Sequence, residues 1–317
     1  MSIIYFIVQQ TMFFSIPLLI VALGGMFSER GGVVNIALEG IMIVGAFAGI
    51  LFISALQSVI PGQPVLFLGI LVAAAAGIII ALSHAYASIN MKADQIISGT
   101  AINMFAGAFA IYTARQVRGV QQIPFANQFR IQSVPGLGNL PVLGPLLFQN
   151  TYVTTLLGFM ILAASWFILY KTKMGLRLRA CGEHPQAADS VGINVAKMRY
   201  TGVLISGALA GIGGLVFVIP TSTNFNATVS GYGFLALAVL IFGQWRPGRI
   251  LFAAFFFGLL KAVSSSYSGI PWLQAIGLPS VIYKMLPFVV TLIVLVFTSK
   301  RSQAPRAAGV PYDMGKR

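Results

Sequence analysis

The sequence predicts an all-α, polytopic transmembrane helix bundle of about eight to ten spans with interrupted helices. Three observations carry that prediction. Of 317 residues, 57% are hydrophobic and only 8% charged, with mean hydropathy +0.89, whereas soluble domains are about 25% charged. Residues 1–28, 40–91, 95–114, 131–170 and 200–245 contain no Asp, Glu, Lys or Arg, and each stretch holds one or two spans of about 20 residues. The polar segments between them are too short to bury a core of their own.

Apolar runs predict helices near 3–26, 34–57, 65–87, 95–113, 151–170, 201–219, 233–244, 250–263 and 281–298. The first run lacks a basic segment before it and is longer than a leader's apolar core, which predicts a retained helix. Pro61-Gly62-Gln63-Pro64 marks a turn between the second and third runs. The stretch from Arg115 to Asn150, rich in Pro, Gly and Gln, is the longest connection. Residues 1–299 thus form one transmembrane domain with a loop at 171–200, and 300–317 form a tail whose Ser302-Gln303-Ala304-Pro305-Arg306 reads as disordered.

Alternating the spans across a bilayer places 15 Lys and Arg on one side and three, Arg115, Arg118 and Arg130, on the other. The basic side is expected to be cytoplasmic, with the C-terminus there. Lys261 and Lys284 lie near predicted helix ends and are expected to snorkel. The net charge of +14 then reports cytoplasmic loops and anionic lipid, with no nucleic-acid partner.

Composition also excludes most catalysis. With two histidines, His84 and His184, and the single Cys181, no zinc cluster or disulfide framework is available. Gly315-Lys316 is followed by Arg317, so no Walker A motif exists. No catalytic and no metal residues are assigned, and no cofactor is expected on this chain. Any ATP used, with its Mg, belongs to a partner.

Two polar interruptions stand out. In Ser28-Glu29-Arg30-Gly31-Gly32-Val33-Val34-Asn35-Ile36-Ala37-Leu38-Glu39-Gly40 the helix must break, and Asn35 and Glu39, four residues apart, share a face. They either line a polar path at the break or cap a plain cytoplasmic turn. The second interruption, Pro220 to Gly233, includes Asn224-Phe225-Asn226 and precedes an apolar run of eleven residues, about 16 Å of helix and half a hydrocarbon core. Paired breaks of this kind point to a central substrate site. Asp94 reads as a helix cap, and Asn103, nearly mid-span, as a pathway residue or helix–helix tether. Gly45, Gly49, Gly207 and Gly211 are spaced for close helix packing.

The loop from Gly175 to Arg199 is the most specific signal. Pro185 opens a short helix through Val191, with Ala187 and Ala188 in its body and Gly192 as its stop. This loop, together with Glu29-Arg-Gly-Gly-Val-Val-Asn-Ile-Ala-Leu-Glu-Gly40, Asp94-Gln-Ile-Ile-Ser-Gly99, Gly243-Gln-Trp-Arg-Pro-Gly248 and Ala307-Ala-Gly-Val-Pro-Tyr312, resembles the permease subunits of ABC importers in the branched-chain amino acid, ribose and nucleoside group, the nucleoside branch most of all.

The resemblance implies a translocation subunit paired with a second related permease, an ABC ATPase and an extracytoplasmic binding protein. It also makes 183–193 the coupling segment, with Glu183, Ala187, Ala188, Gly192 and Ile193 meeting the ATPase. Asn35, Glu39, Asn103, Asn224, Phe225 and Asn226 are assigned to the substrate pathway on polarity and position alone. A simple-sugar importer and, further off, an ion-coupled secondary transporter are the alternative readings.

Overall fold

The computed structural model describes residues 2–134, 136–141, 144, 146, 149–267, 277, 279–298 and 303–313. The basic residues Lys300, Arg301, Lys316 and Arg317 lie outside them.

The helices are α1 (Ser2–Arg30), α2 (Leu38–Leu56), α3 (Gln63–Ala85), α4 (Gln95–Arg118), α5 (Val153–Lys171), α6 (Lys173–Glu183), α7 (Pro185–Ser190), α8 (Val195–Thr221), α9 (Tyr232–Phe242), α10 (Pro247–Ser266) and α11 (Ser280–Thr298). Among the described residues seven, α1 to α5, α8 and α10, are long and apolar enough to cross a membrane, and α9 is a shorter apolar helix of 11 residues. The protein is a multi-pass α-helical bundle, and each of the nine apolar runs in the sequence is a helix.

Boundaries moved where charge or polarity was misleading. Residues 34–37 are not helical, so α2 starts at Leu38. Helix α8 begins at Val195 rather than 201, because Arg199 is not at a polar boundary: it is 1% exposed, buried inside the protein. Local chemistry sets other ends. The Asp94 carboxylate accepts from the N–H groups of Ile96 and Ile97, at 2.7 and 3.0 Å, and caps α4 as its sequence position predicts. Asn194 caps α8 through the Lys197 N–H at 2.8 Å. Gly119 ends α4 with φ 72°, a left-handed conformation open to glycine.

Helix α8 is the hub, packed against α1, α2 and α3. The approach is close because the facing residues are small. A Cβ on Gly45 would strike the Gly211 backbone, and one on Gly207 would strike Ala81. With no hydrophobic force between helices in lipid, such backbone contact is a main source of association.

The two ends of the bundle differ. At one end the longest connection is not structureless. Strand β1 (Ile123–Pro124) pairs antiparallel with β4 (Asn224–Phe225), and β2 (Arg130–Ser133) with β3 (Gln149–Tyr152). Ser54 and Gln57 at the end of α2 bond to Pro124 O and Ala126 N. At the other end lie the basic segments. Arg30 pairs with Glu183 at 3.5 Å and Lys92 with Asp313 at 3.0 Å. The tail, read from sequence as disordered, is fixed there from Gln303 to Asp313. Gln303 N donates to Gln244 Oε1 at 2.8 Å, and Ala307 N to Gly182 O at 2.9 Å.

Candidate substrate path and docking face

The first interruption is a return of non-helical backbone into the bundle. Helix α1 stops at Gly31-Gly32, where Gly32 takes φ 96°, and residues 33–37 turn back among α3, α4 and α8. Backbone without helical bonds at such depth needs other partners. Side chains supply them. Ser28 Oγ donates to Val33 O at 2.6 Å, Gln95 Oε1 accepts from Val34 N at 2.7 Å, and His84 Nε2 stands 3.1 Å from Val34 O. Asn103 serves both ends of the gap, with Nδ2 donating to Ile36 O at 2.9 Å and Oδ1 accepting from Gly40 N at 2.7 Å. Asn35 Nδ2 donates to Ser206 Oγ at 2.9 Å, and both residues are fully buried.

Glu39 is 8% exposed and reaches across to the second interruption. Its two carboxylate oxygens accept from Gly231 N at 2.9 Å and Gly233 N at 2.6 Å. These are amide groups at the start of α9, which no intrahelical carbonyl can satisfy. The negative charge also opposes the positive end of the α9 dipole. Gly233 is held to glycine by this contact, since a Cβ there would collide with the Glu39 backbone. Asn35, Glu39 and the half-buried Asn103 therefore each fasten backbone or side chains across the two helix breaks, and Asn224, Phe225 and Asn226, assigned with them from the sequence, lie elsewhere.

Those three sit in the loop that descends from the strand-bearing end toward Gly231. Phe225 is buried, while Asn224 and Asn226 are exposed. Beside them open two adjoining cavities of about 220 and 390 Å³ that share Phe217, Thr221 and Ser230. Asn224, Asn226 and Thr228 line the first, and Gln10, Phe13, Phe14 and Lys261 the second. Phe217 meets Tyr232 with ring centroids 4.0 Å apart, and Lys261 Nζ stands 5.9 Å from the Tyr232 ring. Lys261 thus faces a cleft and an aromatic ring, where a snorkelling side chain was expected. Flat apolar rings, amides, hydroxyls and one cation around such a space suit a neutral polar molecule with a planar part.

Sequence reasoning missed His84, Gln95, Ser206, Gln10 and Phe217. Ser206 and His84, polar residues inside apolar runs, carried a signal, whereas Gln10, beside Gln9 and Thr11, and Gln95, beside Asp94 at a helix start, read as ordinary polar residues. Nothing in the sequence marks one phenylalanine of 24.

At the basic end, α7 opens at Pro185 and Gly192 follows it with φ 81°, matching the short helix read from sequence. Ala187 and Gly192 are exposed. Ala188, 4% exposed, packs inward on Cys181 and Val195 with Ile193 against them, and Glu183 pairs with Arg30. Glu29, 7% exposed, accepts from Trp245 Nε1 at 2.6 Å, and Arg30 Nη2 donates to Trp245 O at 3.1 Å. The end of α1, the α9–α10 turn and the α6–α7 segment are thereby tied together. No group of three or more His, Cys, Asp or Glu able to hold a metal occurs among the described residues.

A helix bundle with two broken spans, a polar cleft at one end and a projecting short helix at the other has the build of a membrane permease. Residues 7–295 match the model of the family described as branched-chain amino acid transport system / permease component, and the chain belongs to that family of ABC importer permeases. It is a transport subunit, not an enzyme. The guanosine ABC transporter permease protein NupQ of Bacillus subtilis is 45% identical, over 100% of this chain and 99% of its own length. The nucleoside ABC transporter permease protein NupC of Lactococcus lactis is 39% identical, over 98% and 97%. TsgC13 of Haloferax volcanii, whose name assigns it to glucose transport, is 33% identical over 78% and 73%. Each of the two bacteria also contributes a second, more distant permease of the same naming, at 27% and 23% identity. No solved structure matches.

Proposed function

We propose that this chain is the permease subunit of a nucleoside importer in a bacterial cytoplasmic membrane, with its basic end in the cytoplasm. Its full-length similarity to a guanosine and a nucleoside permease supports the substrate class. The observation that carries the path is the cleft between α1, α8, α10 and the loop 222–230, where Phe13, Phe14 and Phe217 offer ring faces and Asn224 and Asn226 offer amides. A nucleobase stacks on the first and a ribose bonds to the second. The substrate enters from the strand-bearing end, delivered by a binding protein, and leaves at the basic end past the two breaks. Asn35, Glu39 and Asn103 act on the path by fixing those breaks, while Asn224 and Asn226 touch the substrate at its mouth and Phe225 supports them from within.

Energy comes from ATP and Mg on an ABC ATPase that grips α7. The paired relatives in two bacteria support a second, related permease as partner, in a heterodimer. The exposed apolar side chains Ile97, Met104, Phe105 and Tyr112 give α4 a face for lipid or for that partner.

The test is uptake by the assembled importer in proteoliposomes. Guanosine and other nucleosides are expected to enter only with ATP inside, and glucose or ribose not to enter. Phe217→Leu is expected to lower nucleoside uptake at least about fivefold, since stacking on an aromatic ring contributes about 1–3 kcal/mol. Sugar uptake unaffected by Phe217→Leu, with no nucleoside uptake, would establish the sugar reading that the similarity to TsgC13 favours. Uptake driven by an ion gradient with no ATPase present would overturn the importer reading.

A further inference from the structure

We propose that residues 303–313 are half of the ATPase docking face, so that the partner grips α7 and the tail as one surface. This rests on the reading that α7 meets the ATPase.

The first support is the way the tail is fastened. Ordering backbone costs about 1–2 kcal/mol per residue, and this segment is held at intervals along its whole length to five separate parts of the basic end. Gln303 N bonds to Gln244 Oε1, Ala307 N to Gly182 O, and Gly309 N to Gly32 O at 3.3 Å. Val310 O accepts from Arg199 Nη1 at 3.0 Å, and Asp313 pairs with Lys92. The Arg199 contact is the most consequential. A guanidinium that is 1% exposed requires compensation, and the tail provides a carbonyl and, 5.9 Å away, the Tyr312 ring. Gly182 O, which receives Ala307, lies three residues before the start of α7, so the tail fixes where α7 projects.

The second support is what this fixed surface leaves uncovered. Between α7 and the tail lies a cavity of about 220 Å³ bordered by Pro185, Gln186, Ala307 and Val310. Val191, just past α7, is 74% exposed and Val310 is 55% exposed. Both are outside the membrane-crossing helices, where no lipid tail covers them; Val310 borders the cavity and Val191 follows the helix that forms its other wall, and exposed apolar side chains flanking a cavity on two segments are the mark of a protein contact. Arg306 borders the same cavity, and Lys173 and Arg177 on α6 and Lys197 at the start of α8 are exposed on the segments that flank α7. The fitting occupant is an ATPase groove with an apolar floor and an acidic rim, wide enough for a short helix and the turn-containing tail segment beside it.

The experiment uses the assembled importer, comparing Val310→Glu, Arg306→Glu and, on α7, Ala187→Glu. Val310 bonds through its backbone alone, its N–H to Ala307 O and its carbonyl to Arg199, with its side chain exposed, and Arg306 is exposed, so both variants keep the permease intact. The expected result is that each tail variant lowers recovery of the ATPase on affinity-purified permease about tenfold, as a buried or reversed charge does at an interface. Uptake falls with it, while the thermal unfolding of the permease alone does not change. If Ala187→Glu releases the ATPase and both tail variants retain it with normal uptake, the tail proposal is overturned and the α7 reading stands. If all three retain it, docking at α7 fails, and the tail proposal with it.

Discussion

Glu39 shows how much a single side chain decides. Its carboxylate serves two amide groups, Gly231 N and Gly233 N. Glu39→Gln keeps one oxygen acceptor and turns an NH2 group toward the second amide, while Glu39→Leu leaves both amides unpaired. A buried donor without a partner costs about 1–3 kcal/mol. The expected order of thermal stability and of uptake, normalised to membrane expression, is therefore wild type, then Gln, then Leu, and equal values for all three would show that the carboxylate does nothing. The residue types around the first break were legible in the sequence, because a Glu and an Asn among Leu, Ile and Met are conspicuous. Their partners were not. Glu39 meets a residue 192 positions away and Asn35 one 171 away, and no local pattern encodes a pairing at that range. The inward turn of Ala188 was equally hidden, since alanine suits either face of a helix.

At the scale of elements, hydropathy located every apolar helix, missed the polar α6, and placed ends poorly. Charge suggested that the span before the second break starts near residue 201, yet α8 runs from Val195 because the tail, far along the chain, shelters Arg199. The cap of α4 was readable, since it depends only on Asp94 and the two N–H groups that follow. Asp94→Ala is expected to cost about 1 kcal/mol, seen as a small drop in unfolding temperature in detergent with uptake unchanged. A large loss of uptake at normal stability would give Asp94 a second role. The α3–α8 crossing gives the opposite case. Gly211→Ala places a methyl group against the Ala73 carbonyl, where rigid backbone cannot yield, and is expected to lower stability by more than the Asp94 change, about 1–3 kcal/mol, as overpacking does. Wild-type stability of Gly211→Ala would show that the crossing is looser than drawn.

For the whole molecule, the decisive question is which end faces the cytoplasm. The native Cys181 is buried, and burial pushes its thiol pKa up, against a smaller opposite pull from the Arg199 charge. The thiolate is the reactive form, so Cys181 is expected to stay unlabelled by a membrane-impermeant maleimide at neutral pH and to become reactive only as pH rises. That leaves the background dark for single cysteines at exposed positions. Ala187→Cys on α7 is expected to label only in inside-out vesicles, and Ala126→Cys beside β1 only in right-side-out ones. The reverse pattern would invert the assignment made from Lys and Arg counts.

The contact between α2 and the start of α9 also sets a timetable. A ribosome adding about 5–20 residues per second delivers Gly231 roughly 10–40 s after Glu39. Through that interval α2 carries a carboxyl group into the bilayer with no amide to receive it, and a charged side chain at such depth is costly. The N-terminal spans cannot settle as a finished half and wait. Until the ninth helix arrives they must linger at the translocon, hold Glu39 protonated, or remain partly withdrawn. A nascent chain halted before residue 231 is thus a species that membrane quality control can recognise by one unsatisfied acid.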